Sequence, residues 1–180
     1  MPIYIAMLRG INVVGKKIVR MEHVRASFEA LEFGRVRTYV QSGNVIFEAV
    51  RASPDDLSKA IAEKISEDFG FPIPVVVRTS DEIGKVVGGN PFLNERGLDH
   101  SKLHITFLAA LPPKDAKERM DALNAHIDQF RIRGREIYLY CPDGYGRTRL
   151  SNNAIEKALS VGATTRNWKT VSTLARISSE

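Results

Sequence analysis

The sequence predicts an α+β protein made of two tandem ferredoxin-like subdomains, each a split βαβ or α-β plait with an antiparallel sheet. Three observations lead there. Strand-like and helix-like hydrophobic periods alternate along the 180 residues. The order β-α-β-β-α-β is complete by residue 80, and much of it restarts after residue 100.

Residues Ile3 to Leu8 are almost wholly apolar, as a central strand requires. A turn-rich connection, Arg9 to Arg20, follows. Met21, Val24, Phe28 and Leu31 then recur at steps of three and four, which marks an amphipathic helix that Gly34 ends. Val36–Gln41 and Val45–Glu48 read as strands joined by the tight turn Ser42-Gly43-Asn44. Ser53-Pro54-Asp55-Asp56 starts a helix, with a capping serine, a first-turn proline and acids facing the dipole. Leu57, Ile61, Ile65 and Phe69 form its buried stripe, and Ile73 to Arg78 is the next strand.

A short helical segment, Ser80 to Val87, and a loop rich in Gly, Asn and Pro lead into the second cycle. Leu103, Ile105 and Phe107 alternate as a strand; Ala116, Met120, Leu123 and Ile127 mark a helix. Phe130–Arg133 and Glu136–Cys141 form another strand pair, while Asn153–Leu159 and Trp168–Ile177 are helical. The second cycle thus reads β-α-β-β-α, with its last strand missing or replaced. The division this implies is 1–80 for the first subdomain and 81–180 for the second with a C-terminal helical extension.

An apolar fraction of 43% and a charged fraction of 26% are those of an ordinary globular chain. The lone cysteine, Cys141, excludes an internal disulfide and a cysteine-caged zinc. No stretch reaches the roughly 18–20 apolar residues that cross a bilayer, so no membrane partner is expected. Met1-Pro2-Ile3-Tyr4 runs straight into a strand, without a signal peptide pattern, and a cytoplasmic location is expected. Between Gly144 and Arg176 stand six basic residues and one acid, Glu156, which accounts for the whole net charge of +5. Charge gathered on one segment favours an anionic partner.

Leu8-Arg9-Gly10-Ile11-Asn12-Val13, Tyr39-Val40-Gln41-Ser42-Gly43-Asn44-Val45, and the run from Tyr145 through Ser151-Asn152-Asn153 to Thr165-Arg166-Asn167-Trp168 are distinctive in combination. Together they resemble the bacterial family called domain of unknown function 1697 (DUF1697), over essentially the whole chain. The resemblance implies two α-β plait subdomains and no particular activity or cofactor. The family usually carries a second glycine where this chain has Val14, which implies a stiffer first loop here.

Several patterns carry candidate chemistry. Gly10, Gly15 and Lys16 have P-loop spacing after a strand, but Lys17 stands where Ser or Thr should ligate magnesium, and an antiparallel plait is the wrong setting. The pattern reads as a structural loop in which Lys16, Lys17 and Arg20 are ordinary basic contacts. Ser42 has no histidine in a comparable motif to activate it, and Gly43 and Asn44 suit a turn. His23, His100, His104 and His126 lack metal-ligand spacing, so no metal site is expected. Tyr138 and Tyr140 alternate with apolar residues on the face away from the helices. They either stack bases or pack against the other subdomain.

The C-terminal run is the main candidate. Ser151, Asn152 and Asn153 precede a helix, with Glu156 three residues after Asn153 as in a capping box. Thr164, Thr165 and Asn167 precede the next helix, and Arg147, Arg149 and Arg166 flank both starts. The expected function is a binding module for an anionic ligand, nucleotide or nucleic acid, centred on these residues. Arg9 and Asn12 join it if the first loop folds over the same face. Two alternatives stand beside it. One is an enzyme on a phosphorylated or carboxylated metabolite, held by Arg147 and Arg166 and oriented by Asn152 or Tyr145. The other is a scaffold in which Arg147 and Arg166 are buried and paired.

Overall fold

The structure, a computed structural model, describes residues 1–13, 15, 17–123 and 125–180. The expectations placed on Val14 and Lys16 lie outside the described residues.

The first half runs β1 (Ile3–Leu8), α1 (Met21–Ala30), β2 (Gly34–Tyr39), β3 (Asn44–Glu48), α2 (Pro54–Phe69), β4 (Val75–Thr79) and α3 (Ser80–Gly88). Two short 3-10 turns, Pro91–Asn94 and His100–Lys102, lead to the second half. That half runs β5 (Leu103–Leu108), α4 (Ala116–Asp121), β6 (Gln129–Arg133), β7 (Glu136–Tyr140), a 3-10 turn at Tyr145–Arg147, α5 (Asn152–Leu159), β8 (Ala163–Asn167) and α6 (Trp168–Ser178). The sheets are ordered β2-β3-β1-β4 and β6-β7-β5-β8, with every neighbouring pair antiparallel. Two ferredoxin-like modules therefore follow one another in the chain.

The second module keeps its fourth strand, contrary to the sequence reading. Thr164 and Thr165, taken there as helix-capping residues, lie opposite Phe107 and Thr106 in β8. Their β-branched side chains suit a pleated surface better than a cap. The α4 helix ends at Asp121 rather than continuing to Ile127, which is exposed.

By compactness the chain separates into two units, Met1–Gly84 with Leu174–Glu180, and Lys85–Thr173. The divisions fall inside α3 and α6, whereas the sequence suggested a cut at 80/81. The C-terminal residues join the first unit through side-chain bonds. Arg37 donates to the Ile177 carbonyl at 2.8 Å, and Ser80 Oγ donates to the Ser178 carbonyl at 3.1 Å.

In the first unit Tyr4, Ala6 and Leu8 of β1 join Val45 and Phe47 of β3 against Val24 and Phe28 of α1 and Leu57, Ile61 and Ile65 of α2. Ile5 and Met7, on the other face of β1, are buried too, which is why this strand has no polar alternation. In the second unit Leu108, Ile137 and Leu139 pack with Met120, Ile155 and Leu159. On the opposite face Tyr138 and Tyr140 are buried. Tyr138 donates to the Val86 carbonyl at 3.1 Å, and Tyr140 lies 6.1 Å from Phe92 between ring centroids. These tyrosines are held by the segment leading into β5 and present no base-stacking platform.

Candidate functional site

The C-terminal motif residues divide into an inward network and an outward face. Asn152 is the centre of the network. Its Nδ2 donates to the Ala163 carbonyl at 2.9 Å, and its Oδ1 accepts from Thr165 Oγ1 at 2.9 Å. Thr165 Oγ1 also lies 2.8 Å from Thr106 Oγ1. The Asn152 amide donates to the Tyr145 hydroxyl oxygen at 2.8 Å. Asn152 and Thr165 thus lock α5 to β8 across the sheet. Ser151, not Asn153, is the N-cap: its Oγ accepts from the Ala154 amide at 3.2 Å. Glu156 does not close a capping box. Its Oε2 accepts from the Ala163 amide at 3.0 Å. Asn153 is exposed on the first turn of α5.

The three arginines do not share one surface. Arg147 and Arg149 are exposed, on the 3-10 turn and in the loop before α5. Arg166 is 7% exposed and donates to Thr164 Oγ1 at 2.8 Å and to the Thr165 carbonyl at 3.1 Å. Burial brings its guanidinium down to about 10, which still leaves it charged at neutral pH. Its strand neighbour Asn167 is exposed and caps α6, Oδ1 accepting from the Thr170 amide at 2.8 Å.

At this end of the sheet lies an open pocket of about 530 Å³, lined by His100, Ser101, Lys102, His104, Gly144, Tyr145, Asn167, Trp168 and Lys169. Register explains the assembly. His104 of β5 lies opposite Asn167 of β8, so the segment entering β5 meets the start of α6. Tyr145 comes in from the turn after β7, with its ring stacked on His104 at 4.6 Å and 21°. Lys102 and Lys169 supply positive charge, and no carboxylate is among the lining residues. The nearby Asp99 carboxylate accepts from Ser101 Oγ at 2.7 Å and from the Ser101 amide at 3.0 Å. These bonds, aided by Lys102 and His100, hold it below the usual carboxylate range.

His104 is half-buried, and its Nδ1 is shielded without a hydrogen-bond partner of good geometry. Burial pushes the imidazole below its ordinary value, opposed by the Lys102 backbone. Tyr145 and Asn167 belonged to the motifs singled out in the sequence. Lys102, His104 and Lys169 did not, because they share no local pattern and meet only through the β5–β8 register. Trp168 closed the last of those motifs and was also read as the start of a helix.

The first unit has an equivalent pocket of about 720 Å³ at the matching end of its sheet. Tyr4 and Thr79 pair there as His104 and Asn167 do in the second. Asp81 stands in the place of Lys169, and with Arg51 it gives this end side chains of both signs, where the other end has only basic ones. Tyr4 is also committed: its hydroxyl bonds the Ala52 carbonyl at 3.0 Å and the Ala52 amide at 3.1 Å.

Arg9 and Asn12 lie in the first unit. Asn12, at φ 55°, braces its loop: Oδ1 accepts from the Val19 amide at 2.8 Å, and Nδ2 donates to the Gln41 carbonyl at 2.8 Å. Arg9 is half-buried, and its amide donates to the Pro74 carbonyl at 2.9 Å. Ser42 belongs to the turn, where its Oγ accepts from Asn44 Nδ2 at 3.1 Å. Cys141 is buried, which pushes its thiol up to about 11 and makes it a poor nucleophile at neutral pH. Among the described residues no cluster of three or more His, Cys, Asp or Glu could hold a metal ion, and no helix is long and apolar enough to cross a membrane.

A family model described as "Protein of unknown function (DUF1697)" matches residues 1–138. No curated protein matches the chain. A similar solved structure is that of the conserved bacterial protein SP0830 from Streptococcus pneumoniae, at TM-score 0.75 and 19% identity. The similarity covers 100% of this chain and 99% of that one, and at this identity it establishes the shared fold.

Proposed function

We propose that this chain, which belongs to the DUF1697 family of proteins of unknown function, is a binding module for an anionic ligand, a nucleotide or nucleic acid, received by the basic pocket of the second unit. The observation that carries the reading is the meeting of Lys102 and Lys169 with four rings, His100, His104, Tyr145 and Trp168, in one open pocket with no carboxylate in its lining. Ammonium groups attract phosphate as point charges, and half-exposed rings offer a face to a base. The volume falls within the usual range of small-ligand sites, roughly 300–1,000 Å³. Arg147, two residues beyond Tyr145 on the same turn, extends the positive surface outward. Arg166 serves a different end, because its guanidinium is buried and spent on its own strand.

The test is fluorescence anisotropy of a labelled single-stranded RNA across a salt series, with wild-type protein and a Lys102→Ala/Lys169→Ala variant. The variant should bind at least about tenfold more weakly. Its plot of log affinity against log salt should be shallower by about 1.4, the loss of two phosphate contacts on a single strand. Equal binding by a folded variant would move the site away from this pocket, and no binding by wild type would reject nucleic acid as the ligand.

A further inference from the structure

His104 is the half-buried imidazole of this pocket. It is stacked on Tyr145, and its Nδ1 is shielded without a partner of good geometry. Burial favours the uncharged imidazole, so near neutral pH the lysines supply the pocket's fixed positive charge. The titratable groups around His104 are Lys102 and His100 on the segment entering β5, with Asp99 behind them, Tyr145 after β7, and Lys169 on α6. Beyond the Asn152 network stands Glu156 of α5. β7 presents Leu139 opposite His104, and β8 presents Asn167.

We propose that the pocket selects a phosphate monoester over a diester, with His104 as the specificity-determining residue that takes up a proton when the more highly charged phosphate enters. This rests on the anion-binding reading above and narrows it to a free mononucleotide or a phosphorylated strand end. A monoester carries a charge of about −1.5 to −2 at pH 7, with a second pKa near 6. A diester carries a single charge. The two ammonium groups serve either ligand. The additional charge of the monoester favours the imidazolium form of His104, because a nearby negative charge stabilises that form. Proton uptake makes binding tighter at lower pH. Between the free and bound pKa values of His104, affinity falls by about tenfold per pH unit as pH rises.

Isothermal titration calorimetry with adenosine 5′-monophosphate and with its 3′,5′-cyclic diester tests this on the whole wild-type chain. The two probes share base and sugar and differ in phosphate charge. Titrations at pH 7.5 in buffers of different ionisation enthalpy measure protons taken up. The monoester should bind at least about tenfold tighter, with proton uptake for the monoester alone. His104→Gln should lose both the preference and the uptake, so that monoester and diester bind alike. A second pair, a short oligoribonucleotide with a 5′-phosphate and one with a 5′-hydroxyl, separates the two sources of monoester. A preference in the oligonucleotide pair assigns the strand end, and one confined to the small probes assigns the free nucleotide. Equal affinity within both pairs would overturn the monoester inference and leave anion binding standing. So would a preference that survives His104→Gln. Failure of every probe to bind folded protein would overturn the anion reading as well.

Discussion

Single side chains in this protein often do work that their motif does not announce. Gly43 sits in the turn after β2 at φ +90°, and a Cβ added there would come within 2.7 Å of Ile11 Cδ1 and 2.9 Å of Leu8 Cβ. Both the backbone conformation and the space exclude a side chain. Gly43→Ala should therefore destabilise the chain by about 1–3 kcal/mol, read as a lower urea midpoint with an unchanged slope. A neutral result would show that the first loop yields without cost. The turn itself was legible from Ser-Gly-Asn; the clash was not, because Ile11 comes from a different loop. Asn152 shows the same limit. Its position before a helix suggested exposure to a ligand, whereas its amide turns inward to bind β8.

Helices and strands were the most legible scale. α2 starts as read, with Ser53 Oγ accepting from the Asp56 amide at 3.1 Å and Pro54 in the first turn. Ser53→Ala should cost about 0.5–2 kcal/mol, measurable by thermal or urea unfolding. No loss would mean that packing of Leu57 and Ile61 alone holds the helix start. α3 carries a reciprocal cap that the sequence reading passed over. The Glu82 amide donates to Thr79 Oγ1 at 3.0 Å, and the Thr79 amide donates to Glu82 Oε2 at 2.8 Å. The element that escaped was β8, whose five residues, Ala-Thr-Thr-Arg-Asn, carry no alternation of apolar and polar types. Two adjacent threonines were the available signal. Their pairing with β5 is a long-range event that local pattern does not encode.

For the whole molecule, the same module occurs twice and the two sheet ends carry different side chains, which is why the proposed site is placed in the second. Both sheets have the same strand order, yet one end carries Asp81 and the other Lys169. The net charge located near the C-terminus pointed to the second module, although its arginines are divided between a buried strand and open turns. Below neutral pH, three of the described groups have shifted values. His104 lies below its ordinary 6.5, chiefly through burial. Asp68 is lowered chiefly by the hydrogen bond from Ser27, and Asp99 chiefly by that from Ser101. A depressed folded value means stability that is present above the unfolded value and lost as pH falls through the folded one. His104 therefore begins to destabilise the fold just below pH 6.5, and the two carboxylates act only near and below pH 4. The urea midpoint should fall as pH drops below 6.5, and His104→Gln should flatten that step. A midpoint unchanged over this range in wild type would contradict the burial assigned to His104.

The chain's one tryptophan, Trp168, lines the basic pocket, so its emission reports occupancy directly. Anion binding in this pocket is tested by titrating wild-type protein with adenosine 5′-monophosphate and with single-stranded RNA while Trp168 fluorescence is followed at low and moderate salt. A saturable change in emission is expected with at least one of them, weaker at higher salt and lost in Lys102→Ala/Lys169→Ala. Emission that stays constant at saturating concentrations of both, or a change that persists unaltered in the folded double variant, would contradict anion binding there.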